Sequence, residues 1–189
     1  MHKPLHTIAS VRAGRTFRIK IMTDPHGGIP VLQIKDLKDR ATLSAERLPR
    51  INSRGTKVTA NVQPGDIVLP ARGEYYNASI LQGNESVVAT SQLFVVHRTS
   101  TDVTSAYLSW YLNQAAAQQY FLTHRSGTSI PMLSKQSLGA LPITVPPLAT
   151  QHKIVSIQRC WELEQRLTKQ LLNNREHMLN GIFQQLLEQ

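Results

Sequence analysis

The chain has 189 residues, of which 41% are hydrophobic, and no apolar run approaches the roughly 20 residues that a bilayer-spanning helix requires. A single cysteine, Cys160, excludes an internal disulfide and a cysteine-built zinc site. The formal charge of +9 favours a polyanionic partner, because neutralising phosphates releases their condensed counterions. The charge is unevenly spread: residues 1–149 hold 16 Lys and Arg against 8 Asp and Glu, and residues 12–57 alone hold 11 against 4. The N-terminal stretch has no apolar centre of the signal-peptide kind, so a cytoplasmic protein with no membrane partner is expected.

In chain order, turn signals divide the first 148 residues: Asp24-Pro-His-Gly-Gly28, Asn52-Ser-Arg-Gly55, Gln63-Pro-Gly-Asp66, Ala71-Arg-Gly73, Gln82-Gly-Asn84 and Ser126-Gly-Thr128. Between them, short β-rich runs predict strands over 17–21, 29–34, 57–62, 66–70, 79–81, 86–89, 93–97 and 141–145. One helix is predicted from Thr104 to Leu122, with Tyr107, Leu108, Tyr111, Leu112 and Ala115 at helical spacing. A shorter helix follows at 133–141, with Ser134 as its cap. The strand Ile143-Thr-Val145 is closed by Pro146-Pro147, which cannot continue a ladder.

From Ala149 onward the pattern is purely helical, with Thr150 as the expected N-cap. Ile154, Ile157, Trp161, Leu167, Leu171, Met178, Ile182 and Leu186 make one apolar stripe. The first turns, with Ile154, Ile157 and Trp161, are expected to be covered by the preceding domain. The distal residues Leu171, Met178, Ile182, Phe183, Leu186 and Leu187 need a partner helix, since so large an exposed stripe is an aggregation hazard. The sequence thus predicts an α+β chain. A β-rich domain with one or two packed helices spans 1–148. A long C-terminal dimerisation or spacer helix spans 149–189.

The string "SGTSIPMLSKQSLGALPITVPPLATQHKIVSI" (126–157) resembles the segment that ends a target recognition domain in the specificity subunits of type I restriction–modification systems. A glycine-hydroxyl loop precedes a proline and a short helix; a strand ending in Pro-Pro-Leu then leads into a helix opened by Gln151. "VQPGDIVLPARG" (62–73) and "GGIPVLQIKDL" (27–37) match the family pattern in their expected places, so the resemblance covers nearly the whole chain. It departs in one respect: family members carry two recognition domains and two conserved helices, whereas this chain has one of each. The resemblance therefore implies a half-subunit that forms a homodimer, its arms packed antiparallel, reading a palindromic bipartite target in double-stranded DNA. It also implies a non-catalytic subunit. Methyl transfer, with S-adenosylmethionine, would belong to a partner DNA methyltransferase (modification) subunit, and cleavage to a restriction/translocase subunit. No cofactor or metal is expected on this chain. The residues agree, because no methyltransferase Asn/Asp-Pro-Pro-Tyr, phosphate-cradling or His-Glu-x-x-His motif occurs. A nuclease-like reading of Asp66 and Glu74 fails because Tyr76 stands where a lysine is needed.

DNA recognition requires cations for phosphates and forked donors or acceptors for base edges. The candidates lie on turns: Arg50, Asn52, Arg54 and Lys57; Arg72, Tyr75, Tyr76 and Asn77; His124, Arg125, Thr128 and Ser129; with Arg18, Lys20 and Lys135 extending the basic edge. Each has a plainer role open to it. Arg72 can serve a salt bridge to Asp66 or Glu74, Arg50 and Arg54 solvated or phosphate-facing positions, and one of Tyr75 and Tyr76 the core. Lys135 can simply begin its helix. Two other functions stay open: a stand-alone dimeric DNA-binding regulator, and a hydrolase using His6, His26 or His97.

Overall fold

Turn residues and short β-branched runs place strands where both faces of the chain find apolar cover, and the computed structural model describes this for residues 2–17, 21, 23–24, 26–37, 42–52, 59–127 and 130–188. In order, the elements are β1 (His2–Pro4), α1 (Leu5–Ile8), β2 (Ala9–Ala13), β3 (Ile29–Leu32), a 3₁₀ turn (Ile34–Leu37), β4 (Thr42–Ser44) and a second 3₁₀ turn (Ala45–Arg47). Then come β5 (Arg50–Ile51), β6 (Ile67–Pro70), β7 (Ser79–Gln82), β8 (Val88–Ala89) and β9 (Leu93–Arg98). The last part contains α2 (Ser105–Leu112), α3 (Ala115–His124), β10 (Arg125–Ser126), β11 (Met132–Leu133), α4 (Lys135–Ala140), β12 (Pro142–Thr144) and α5 (Leu148–Leu187). The class is the mixed α+β that the sequence predicts.

A five-stranded sheet runs β2-β9-β6-β7-β4, and a three-stranded sheet runs β5-β3-β8. β6 is central and buried along its whole length, as its unbroken Ile-Val-Leu run requires. Val68, Val95, Leu81 and Leu43 pack on one side with Leu32, Leu48, Val62 and Leu93. Alternation along the strand turns Ile67 and Leu69, also buried, to the other face.

The predicted helix over 104–122 is two helices. Thr104 caps the first, accepting from Tyr107 N at 3.1 Å, but Asn113 ends it. Its amide exchanges two 2.8 Å bonds with the backbone of Ala78 and donates to Ser109 O at 3.0 Å. A side chain so engaged holds its own backbone out of the helix. Gln118 covers a carbonyl freed at the break, donating to Leu112 O at 2.7 Å.

Ser134 caps α4 as expected, accepting from Ser137 N at 2.9 Å. The strand before the double proline pairs antiparallel with β1, His2 opposite Thr144 and Lys3 opposite Ile143. α5 begins two residues before the expected Thr150 cap: Pro147 O receives Thr150 N at 2.9 Å and Gln151 N at 3.1 Å, so Thr150 lies inside the first turn. The predicted strand 57–62 reduces to a bridge between Val62 and Val87, with Lys57 and Val58 outside the described residues. Of 17–21, residues 18–20 also lie outside them.

The chain divides into two compact units, Met1–Gln151 and His152–Gln189. The second is helix alone. Forty residues of α5 extend about 60 Å at 1.5 Å per residue. Ile157 and Trp161, expected to be covered within the chain, are exposed, as are Leu171, Met178, Ile182, Phe183 and Leu186. Helical periodicity marks a face as apolar but does not say which surface covers it.

Candidate nucleic-acid interface

Strand register decides which turns meet. Ala13 ends β2 opposite Phe94, and Pro70 ends β6 opposite Leu93. The segments leaving those two strands therefore emerge at the same end of the sheet as Thr90–Gln92, which enters β9. Main-chain bonds hold them together: Gly14 N to Leu93 O at 2.8 Å, Arg15 N to Ala89 O at 2.7 Å, and Ala71 N to Gln92 O at 2.8 Å. The β10–β11 hairpin is fastened alongside by Leu133 N to Ala71 O at 2.9 Å and Gly73 N to Pro131 O at 2.8 Å. Met132 thus lies between Arg72 on one side and Ser126 on the other, with Arg125 next along β10. Gly73 and Gly127, at φ of 109° and 100°, occupy the left-handed turns that bring these segments round.

Lys35 joins the same end. Thr90 N bonds Leu32 O at 3.0 Å, which holds the exit of β3 beside the 90–92 turn. A shallow cavity of about 270 Å³ there is lined by Arg15, Phe17, Gln33, Lys35 and Thr90–Gln92 among others. Asp36 is close in sequence but is engaged, accepting Gln33 N at 2.8 Å. Arg15, Lys35, Arg72 and Arg125 thus converge from four separate segments, with the exposed Tyr75 and Asn77 on the loop that follows Arg72.

Tyr75 is 74% exposed, while its neighbour Tyr76 is fully buried against Phe121, ring centroids 5.8 Å apart. Tyr76 therefore leaves the set of surface contacts, and the core reading of one tyrosine applies to it. Its hydroxyl is enclosed without a well-formed hydrogen bond. Burial raises its pKa, an effect the nearby Arg125 guanidinium partly offsets. Tyr76 thus sits behind Arg125.

Arg50 stands apart. It lies opposite Pro30 at the entry of β3, whereas Lys35 follows its exit, and it is neutralised by Glu85 at 2.6 Å. Arg72 does not pair with Asp66, whose carboxylate accepts from His97 at 2.6 Å and from Gln63 N at 2.9 Å. Asn52, His124 and Lys135 are exposed, the last in the first turn of α4. Arg18, Lys20, Arg54, Lys57, Thr128 and Ser129 lie outside the described residues. Sequence reasoning missed Arg15 and Lys35. Arg15 follows a strand that carried no clear signal, and Lys35 sat unremarked within Gly27–Leu37.

Two of the three histidines considered for hydrolysis are engaged apart from each other, and the third, His26, is exposed, its backbone N–H donating to Asp24 Oδ1 at 2.9 Å. His97 faces the buried Asp66, which closes the Gln63–Asp66 turn, and His6 Nδ1 lies 3.0 Å from Gly139 O. Among the described residues no three His, Cys, Asp or Glu side chains are placed to hold a metal ion. Among those residues, too, no helix is long and apolar enough to cross a membrane.

Known proteins share the sequence family and the fold. A family model described as the type I restriction modification DNA specificity domain matches residues 2–175. The specificity subunit of the type I restriction enzyme EcoEI from Escherichia coli is 24% identical over 127 residues, 61% of this chain and 21% of that protein. The HsdS subunit of Thermoanaerobacter tengcongensis superposes with a TM-score of 0.63 at 18% identity, over 87% of this chain and 37% of that one. A chain from a type I restriction–modification system, solved to explain its complex assembly and conformational transition, gives 0.71 at 20% identity, over 96% and 43%. The chain thus spans about a fifth of the curated relative and less than half of either solved chain.

Proposed function

The chain belongs to the type I restriction modification DNA specificity domain family, and on that premise we propose that it reads the DNA address for partner subunits and makes or breaks no bond itself. The observation that carries this is the convergence of Arg15, Lys35, Arg72 and Arg125 at one end of the sheet, from segments far apart in sequence, inside a matched family domain. Cations held on strand-exit turns set the register on the phosphate backbone, and Tyr75, Asn77 and the arginine forks are the groups that reach base edges. Partner modification subunits supply methyl transfer, with S-adenosylmethionine bound there, and a restriction subunit supplies cleavage.

The second part of the proposal is self-association. α5 presents Leu171, Met178, Ile182 and Leu186, each 42–61% exposed, and a second copy covers them by pairing antiparallel. Two recognition units related by a two-fold axis then read a bipartite, inverted-repeat target.

The test measures duplex binding by fluorescence anisotropy, with and without the system's modification subunit, on a randomised duplex pool carried through selection. Selected sequences with inverted half-sites are expected, bound tightly only with the modification subunit present. The slope of log affinity against log salt should fall by about 0.9 for each phosphate contact removed in Arg72→Ala and Arg125→Ala. Unchanged affinity and slope in both variants would sink the proposed interface. Equally tight specific binding by the chain alone would favour a regulator.

A further inference from the structure

The apolar stripe of α5 is not continuous. Placing Ile154, Trp161 and Ile182 at a positions and Ile157, Leu171 and Met178 at d positions puts Thr168 and Arg175 on a, and Glu164 and Gln185 on d. Two charges of opposite sign therefore stand in the seam itself. Both are exposed, and among the described residues neither is engaged within the chain. They are eleven residues apart, about 16 Å along the helix, so they cannot pair within one chain.

From this the geometry points to one register of self-pairing: antiparallel, with the two-fold axis between Lys169 and Gln170, so that Glu164 of each copy faces Arg175 of the other. This rests on the antiparallel self-association proposed above and adds its alignment. In that register every a residue meets a d residue. Ile157 lies opposite Ile182, Trp161 opposite Met178, and Leu171 opposite Thr168, with Leu172 and Leu179 flanking. Parallel pairing instead stacks Glu164 on Glu164 and Arg175 on Arg175 inside the seam. Sliding an antiparallel partner by one heptad sets Glu164 against Ile182 or Thr168, and Arg175 against Leu171 or Ile157. Each slip strands two charges among side chains that cannot answer them. The charge pair acts as a register pin in a seam whose apolar residues alone tolerate slippage. It also sets a length: the two Leu148 positions lie about 65 Å apart along the pair, which fixes the separation of the two helix starts.

Charge reversal in the full-length chain, read by sedimentation equilibrium, tests the register. Glu164→Arg and Arg175→Glu should each raise the dimer dissociation constant on the order of a hundredfold, since each dimer then holds two like-charge contacts. The double variant Glu164→Arg/Arg175→Glu should return to near the wild-type value. Both positions are exposed in the single chain, so far-UV circular dichroism should not change. A dimer indifferent to both single reversals would overturn the register while leaving self-association standing. Two additive losses in the double variant would also overturn it, because the two positions would then not face each other. A wild-type chain that stays monomeric at high concentration would overturn the self-association itself.

Discussion

Gln151 is the residue on which the first turn of α5 is anchored, and its replacement gives the sharpest check of the fold. Its side chain is fully buried and makes three bonds. Oε1 accepts Thr104 N at 2.9 Å, and Nε2 donates to Asp102 O at 2.7 Å and Pro146 O at 2.9 Å. Three backbone groups from two segments thus depend on one amide. Gln151→Ala leaves an N–H and two carbonyls unpaired; with partial access of water, the cost is about 3 kcal/mol. At about 2–4 °C per kcal/mol for a unit of this size, the melting temperature falls by about 6–12 °C in scanning calorimetry. Gln151→Glu keeps the shape but sets a carboxylate oxygen against two carbonyl oxygens. It should destabilise at least as much at pH 7. That deficit should shrink on acidification, because the protonated acid donates one bond again: its folded pKa is raised, so stability is lost as pH rises through it. A Glu variant as stable as wild type at pH 7 would refute the assignment of these three bonds.

Three further outcomes follow from the same contacts. Tyr76→Phe removes a hydroxyl that has no good partner and should leave stability within about 1 kcal/mol of wild type or raise it, while Tyr76→Ala should cost about 3–5 kcal/mol in urea unfolding. Since burial raises the Tyr76 pKa, its contribution is lost as pH rises through that folded value, and Tyr76→Phe should resist alkaline unfolding better than wild type. Asn113→Ala breaks the lock on Ala78 and should cost about 2–3 kcal/mol, with Asn113→Asp, which keeps the acceptor for Ala78 N but loses both donated bonds, intermediate or worse. The Lys3 ammonium, 2.7 Å away, holds the Asp102 carboxyl below the usual aspartate range. This contribution is present above the ordinary aspartate value and lost as pH falls through the folded one, so Asp102→Asn should flatten the acid limb of melting temperature against pH.

The strands that were legible are those with an unbroken apolar run bounded by turn residues: Ile67–Pro70, Ser79–Gln82 and Leu93–Arg98. Those that were missed are Ala9–Ala13, five residues of mostly small or polar side chains, and His2–Pro4, Thr42–Ser44, Arg50–Ile51 and the β10–β11 pair, each two or three residues long. So few residues show no period of two, and their pairing is decided by partners far away in sequence: His2 meets Thr144 across nearly the whole recognition unit. The break at Asn113 was illegible for the same reason. Apolar spacing ran through it, and the competing bond comes from Ala78.

The interface was less legible than the fold, and its construction explains why. The turns that carry Arg15, Arg72 and Gln92 are fixed to one another by backbone N–H and carbonyl groups, through Gly14 to Leu93, Ala71 to Gln92 and Leu133 to Ala71. Backbone bonds of this kind place no demand on side-chain identity, so the projecting residues carry no folding signature for a sequence reader to find. The same property suits an address-reader: a residue on such a turn can change to recognise another base without disturbing the sheet beneath. Arg50 differs: its turn is as basic and glycine-rich as the others, but its guanidinium bonds Glu85 and Gly28 O within the chain. Charge and turn chemistry locate the segments proposed to read DNA; the strand register selects which of them stand together.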